Sequence, residues 1–91
     1  MVTFNAVCEE VYRIYRAWGF PGIGGIVDAG DEWSFFQAPT EQGGEIPLGE
    51  KPLFVNKTTG NRRVMVFDVP DMEKLQHAKP VEIPTQYLPK Y

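Results

Sequence analysis

The first part of the chain carries apolar side chains at spacings of three and four residues, from Phe4 to Trp18. This period places them along one side of an α-helix, with charged residues on the opposite side. Thr3 is a residue type that caps a helix N-terminus, and Gly19 followed by Pro21 favours termination. The pattern therefore predicts an N-terminal amphipathic helix that lies across a sheet.

Four later segments are rich in β-branched and aromatic residues and alternate between two faces, which is typical of strands. The first pair, residues 23–28 and 33–38, is joined by a turn-rich segment at 29–32. The second pair, residues 53–55 and 64–69, flanks a polar turn that contains Gly60, a residue type that accepts a left-handed conformation. These segments predict two β-hairpins.

The chain after the second hairpin has a helix signal and then a run of prolines. Asp68 precedes a stretch with a proline in its first turn, so residues 70–77 are predicted to form a short helix. Residues 79–91 contain three prolines and are predicted to be an extended tail. The expected fold is α+β, one domain over residues 1–91, with the N-terminal helix on a four-stranded, mostly antiparallel sheet in the order α-β-β-β-β-α.

Composition agrees with a small folded domain. The chain has 91 residues, of which 43% are hydrophobic and 13% aromatic, which is enough apolar mass for one core and argues against disorder. Cys8 is the single cysteine, so a secreted scaffold held by internal disulfides is excluded. The N-terminus lacks the pattern of a signal peptide, and no apolar run reaches the length of a membrane span. We therefore expect a cytoplasmic protein.

Charge is distributed unevenly along the chain. The net charge of −3 disfavours nucleic acid as a partner. Residues 28–50 carry six acidic residues and no Lys or Arg, whereas the rest of the chain carries nine basic and six acidic residues. Segregation of this kind can steer a basic protein partner. The alternative is that these acidic loops only keep the domain soluble.

The residue types that carry catalysis are scarce and scattered. Cys8, Ser34 and His77 are the single cysteine, serine and histidine, and they fall on separate predicted elements. Nucleophilic catalysis needs a nucleophile beside a base, and one Cys with one His cannot build a zinc site. The glycines at 22–25 lack the context of a phosphate loop and are predicted to let an edge strand approach the helix closely. We expect no enzyme activity, no metal and no cofactor.

The segment 49–60, preceded by the tryptophan-bearing strand 33–36 and followed by a short helix near residues 72–75, resembles the bacterial family called immunity protein 35. The resemblance covers residues 26–77. Members are small α+β proteins encoded near polymorphic toxins and thought to neutralise them. The resemblance implies a toxin-binding role and supplies no catalytic or binding motif to transfer.

The hypothesis from the sequence is a non-catalytic immunity protein that neutralises a bacterial toxin by direct binding. The predicted partner-binding residues are Asp28, Asp31, Glu32, Phe36, Glu41, Glu45 and Glu50. An alternative is a structural module that self-associates, as a homodimer, through a sheet edge or exposed aromatic residues. A third class is a binder of a peptide or small molecule beneath the long connection at residues 39–52.

Overall fold

The computed structural model describes residues 2–41, 44, 52–65 and 68–91. In chain order its elements are α1 (Phe4–Ala17), β1 (Ile23–Asp28), β2 (Glu32–Gln37), β3 (Leu53–Asn56), β4 (Arg62–Val64), α2 (Val69–Gln76), β5 (Lys79–Val81) and a 3₁₀ turn (Thr85–Tyr87). The predicted α+β fold, with an N-terminal helix packed on an antiparallel sheet, is confirmed. Within the described residues, neither helix is long and apolar enough to cross a bilayer.

The sheet has five strands where the sequence predicts four. Its order is β4-β3-β2-β1-β5, and every neighbouring pair is antiparallel. The additional strand, β5, lies in the segment predicted as an extended tail, and it pairs with β1. Pro80 argues against a strand in the sequence, because proline cannot donate a backbone hydrogen bond to a neighbouring strand. Proline is tolerated at sheet edges, which is where β5 lies.

The boundaries of the helices agree with their predicted caps. The Thr3 side chain accepts a hydrogen bond from the Ala6 N–H at 3.3 Å, and Gly19 has φ of 96° just after α1. The Asp68 side chain accepts from the Asp71 N–H at 3.1 Å and caps α2. Each cap satisfies a backbone donor that the first turn of a helix leaves unpaired.

The main core lies between α1 and one face of the sheet, called here the α1 face. Its fully buried residues include Val11 and Tyr15 from α1 and Phe35 and Val55 from the sheet. The Tyr15 hydroxyl donates to the Phe35 carbonyl at 2.5 Å and accepts from the Leu53 N–H at 3.3 Å. Tyr15 therefore ties α1 to two adjacent strands, and burial raises its pKa.

The glycines after α1 relieve close contacts other than the one predicted. A Cβ on Gly24 would lie 2.6 Å from the Gln37 carbonyl oxygen, and one on Gly22 would lie 2.9 Å from the Pro89 Cα. The close neighbours are thus the end of β2 and the C-terminal tail. The prediction that these glycines belong to an edge strand beneath the helix is wrong, because β1 is an inner strand flanked by β2 and β5.

Candidate functional site

Arg63 lies between two carboxylates on the face of the sheet opposite α1, called here the α2 face. It donates to Glu32 through Nε at 3.0 Å and Nη2 at 2.9 Å. It also donates to Asp71 through Nη1 at 2.9 Å and Nη2 at 2.8 Å. The guanidinium carbon lies 4.4 Å from the centroid of the Phe54 ring. Both carboxylates are engaged by two donors, which is the strongest geometry for an arginine ion pair.

Lys74 extends this cluster toward the turn between β1 and β2. Its Nζ lies 2.6 Å from Glu32 Oε1 and 3.0 Å from Asp31 Oδ1. Burial raises the pKa of Glu32, but hydrogen bonds from Arg63 and Lys74 outweigh burial and hold that pKa below its ordinary value. The hydrogen bond to Glu32 in turn raises the pKa of Lys74. Glu32 and Lys74 are therefore both charged at neutral pH.

This ion-pair cluster, Asp31, Glu32, Arg63, Asp71 and Lys74, attaches α2 to the sheet. The buried residue of α2 is Asp71, whose side chain is 5% exposed, and the Glu32 side chain is 8% exposed. The apolar residues Val69 and Met72 are 69% and 47% exposed. Leu75, the other large apolar residue of the helix, is half-buried. The helix thus buries the charged Asp71 and leaves two apolar side chains exposed, whereas a usual surface helix buries its apolar stripe.

A second ion pair, on the α1 face, stabilises the turn between β1 and β2. Lys57 Nζ lies 2.7 Å from Asp28 Oδ1 and 5.5 Å from the ring of Trp33. Asp28 also accepts from the Gly30 N–H at 2.9 Å. The hydrogen bond from Lys57, followed by that from Gly30, lowers the pKa of Asp28.

The structure divides the predicted partner-binding residues into two groups. Asp28, Asp31 and Glu32 lie together at one end of β1 and β2, and each is paired with a basic residue of the same chain. Phe36 lies four residues further along β2, about 13 Å away at the rise of a strand. Glu41 is exposed beyond β2, whereas Glu45 and Glu50 lie outside the described residues.

The hollows on the described surface include the following three. Phe36 is half-buried and lines a shallow cavity of about 310 Å³ with Gly24, Gly25, Gln37 and Pro39. A cavity of about 430 Å³ separates the turn at Ala29 and Gly30 from α2, where Pro70, Glu73, Lys74 and His77 line it. The third, of about 420 Å³, lies between α1 and β4. None of them gathers the single Cys, Ser and His of the chain.

The three side chains considered for catalysis, those of Cys8, Ser34 and His77, lie in different environments. Cys8 is fully buried in the core, and burial raises the pKa of its thiol to about 11. Ser34 is fully buried on the α2 face, and within the described residues its Oγ has no hydrogen-bond partner. His77 is exposed at the end of α2. Across residues 2–41, 44, 52–65 and 68–91, no three His, Cys, Asp or Glu side chains are placed to hold a metal ion.

Sequence reasoning missed the basic half of the ion-pair cluster and the outward face of α2. Arg63, Asp71 and Lys74 had no predicted role, although the segregation of charge along the chain was the available signal. A segment with only acidic residues followed by a segment rich in basic residues favours pairing between them on folding. No protein-family model, curated protein or solved structure matches the chain.

Proposed function

We propose that this chain is a non-catalytic binding protein that neutralises a bacterial toxin by covering part of its surface. The observation that carries the proposal is the outward apolar face of α2, formed by Val69 and Met72. Exposed apolar side chains grouped on one element are typical of protein interaction sites. The resemblance to the immunity protein 35 family supplies the class of partner.

The binding surface in this proposal is the outer face of α2 together with the turn between β1 and β2. The cavity of about 430 Å³ separates these two elements and offers a place for a partner side chain. Two acidic residues lie on this side, Asp31, whose side chain is 71% exposed, and Glu73 of α2, which lines the cavity. The surface therefore combines an apolar centre with a charged rim, as protein interfaces do.

Electrostatic attraction has a smaller role here than the sequence suggests. Three of the acidic residues predicted to face a basic partner form ion pairs within the chain. Their partners are Lys57, Lys74 and Arg63. Because these pairs cancel much of the local field, we expect rim charges to affect the rate of association and apolar contacts to provide most of the affinity.

A self-associating module is the second candidate, and one observation favours it. Trp18 and Val64 are 52% and 48% exposed beside the edge strand β4. However, both edge strands have three residues, and β5 contains Pro80. Short edges and proline are devices that prevent sheet-to-sheet pairing. Sedimentation across a dilution series separates the candidates, because only the second requires a concentration-dependent mass.

The test is coexpression with toxin domains encoded by genes next to this one, in a host that each toxin kills. We expect the intact chain to restore survival and to bind the purified toxin in calorimetry. The double variant Val69→Lys, Met72→Lys should bind at least tenfold more weakly, and Val64→Lys, on the opposite side, should bind normally. Failure to bind any neighbouring toxin would overturn the function. Normal binding by the double variant would overturn the assigned surface alone.

A further inference from the structure

The two helices are attached to the sheet by different kinds of contact. α1 buries an apolar stripe that includes Val11 and Tyr15, both fully buried. The buried residue of α2 is the charged Asp71, and its large apolar residues are exposed or half-buried. A helix of eight residues is too short to be stable in water by itself, so α2 needs its contacts to the sheet in order to stay folded.

Two buried carboxylates, one on the sheet and one on α2, share a single cation. Glu32 of β2 and Asp71 of α2 each accept two hydrogen bonds from Arg63 of β4, at 2.8–3.0 Å. Lys74 of α2 also faces these groups, since its Nζ lies 2.6 Å from Glu32 and 3.0 Å from Asp31 of the turn between β1 and β2. The described ion pairs between α2 and the sheet therefore all involve this one cluster.

These contacts require ionised carboxyl groups. A protonated carboxyl group has lost its charge and accepts fewer hydrogen bonds, so its pairing with a guanidinium is much weaker. Burial opposes the ionisation of Glu32, but hydrogen bonds from Arg63 and Lys74 outweigh burial and hold its pKa below the ordinary value of 4.5. The stability that Glu32 contributes is therefore complete above pH 4.5 and is lost as the pH falls through the folded pKa.

The N-terminus of α2 adds one more carboxylate to this region. The Asp68 side chain accepts a hydrogen bond from the Asp71 N–H at 3.1 Å and caps the helix. By contrast, the main core on the α1 face is apolar, and its contacts do not change when carboxyl groups gain protons. Loss of charge at the cluster thus weakens the attachment of α2 and leaves the packing of α1 in place.

We propose that α2 is an acid-sensitive switch: protonation of Glu32 and Asp71 releases the helix from the sheet, and the released segment unfolds while α1 and the sheet stay folded. Local opening of one cooperative unit before global unfolding is a known property of weakly attached elements. The proposal concerns the folding of α2 itself, so it does not depend on the partner or the function assigned to the outer face of this helix.

The experiment follows the helical ¹³Cα chemical shifts of α1 and α2 by NMR in the intact chain, as the pH is lowered in steps from about 7 to about 3. The unchanged chain is compared with a double variant, Glu32→Gln with Asp71→Asn, in which neither side chain carries a charge at any pH. Asp28→Asn is the matched control. Asp28 pairs with Lys57 at 2.7 Å near the same turn, but on the face opposite α2.

In the unchanged chain, we expect α2 to lose more than about half of its helical shift before α1 has lost about a tenth of its own. The double variant should show a released α2 and a folded α1 already at neutral pH, and Asp28→Asn should behave as the unchanged chain does. If the double variant fails to fold, the titration of the unchanged chain decides the question by itself.

Three results would overturn the proposal. The first is loss of helical shift in α1 and α2 over the same pH range, which would mean that α2 is not a separate unit. The second is a double variant that keeps α2 folded at neutral pH, because the helix would then not need the two charges. The third is release of α2 by Asp28→Asn to the same extent as by the double variant, since the effect would then not be specific to the cluster.

Discussion

Replacement of Arg63 by methionine tests whether the ion-pair cluster holds α2 on the sheet. The substitution keeps an unbranched apolar stem near Phe54 and removes the guanidinium, which makes four hydrogen bonds to Glu32 and Asp71. Glu32 keeps Lys74 as a partner. The two carboxylates, 8% and 5% exposed, lose their shared cation in a place where they have little contact with water.

The magnitude follows from these exposures. Removing one partner of a fully buried ion pair costs about 3–5 kcal/mol, whereas an exposed pair contributes about 0–1 kcal/mol. Arg63 is itself 39% exposed, so solvent already screens part of its interaction with both carboxylates. We therefore expect Arg63→Met to lower the free energy of unfolding by about 2–3 kcal/mol, between the two limits. For a domain of this size, that corresponds to a fall in Tm of roughly 10–20 °C.

Urea denaturation followed by circular dichroism measures this free energy, and Arg13→Met is the matched control. Arg13 pairs with Glu9 at 2.8 Å, but both side chains are more than half exposed, so its loss should cost about 0.5 kcal/mol or less. Adding Glu32→Gln and Asp71→Asn to Arg63→Met should restore part of the lost stability, because it removes two buried carboxylate charges that have lost the arginine. The reasoning is refuted if Arg63→Met costs no more than Arg13→Met, or if the triple variant is less stable than the single one.

Three other substitutions or conditions give direct tests of the fold. Tyr15→Phe removes the hydroxyl that bridges the buried Phe35 carbonyl and Leu53 N–H and should cost about 1–3 kcal/mol in urea denaturation, and a loss below about 0.5 kcal/mol would contradict the assigned bridge. Gly24→Ala places a Cβ 2.6 Å from a carbonyl oxygen and should cost about 1–3 kcal/mol, whereas Gly25→Ala meets its nearest neighbour at 3.7 Å and should be milder; equal losses would contradict the difference in packing. Because the folded-state pKa of Glu32 is lowered from 4.5, its contribution to stability is complete above that pH and is lost as the pH falls through the folded pKa. A Tm scan from pH 7 to pH 2 should therefore decline below about pH 4.5, and a Glu32→Gln variant should show a shallower decline.

The elements that were predicted from sequence are those that local chemistry specifies. The three-and-four spacing of α1, its Thr3 cap and the left-handed Gly19 involve residues within a few positions of each other, and all three are present. Gly60, with φ of 77°, likewise adopts the conformation predicted for the second hairpin turn. Such features do not depend on the rest of the chain, so composition and spacing suffice to predict them.

The features that sequence did not predict depend on contacts between distant segments. β5 forms because Lys79–Val81 meets β1, more than 50 positions earlier, and its own three residues carry no strand pattern. The same holds for the ion-pair cluster, where Glu32 meets Arg63 and Lys74 across the sheet. The acidic segment on its own therefore indicates a surface for an external partner, although part of its charge is matched within the chain.

The exposed apolar side chains of α2 link these energetics to function. An eight-residue helix is too short to be stable in water on its own, so tertiary contacts must hold it. Burial of Val69 and Met72 would have supplied up to about 1.5–3 kcal/mol each, yet both side chains are exposed, while Asp71 and Lys74 make ion pairs to the sheet and Leu75 is only half-buried. Folding alone does not account for this arrangement, because an apolar inner face would hold the helix at least as well. A partner that covers Val69 and Met72 would recover the burial that the isolated chain forgoes, and α2 would then be stabilised from both sides only in the complex.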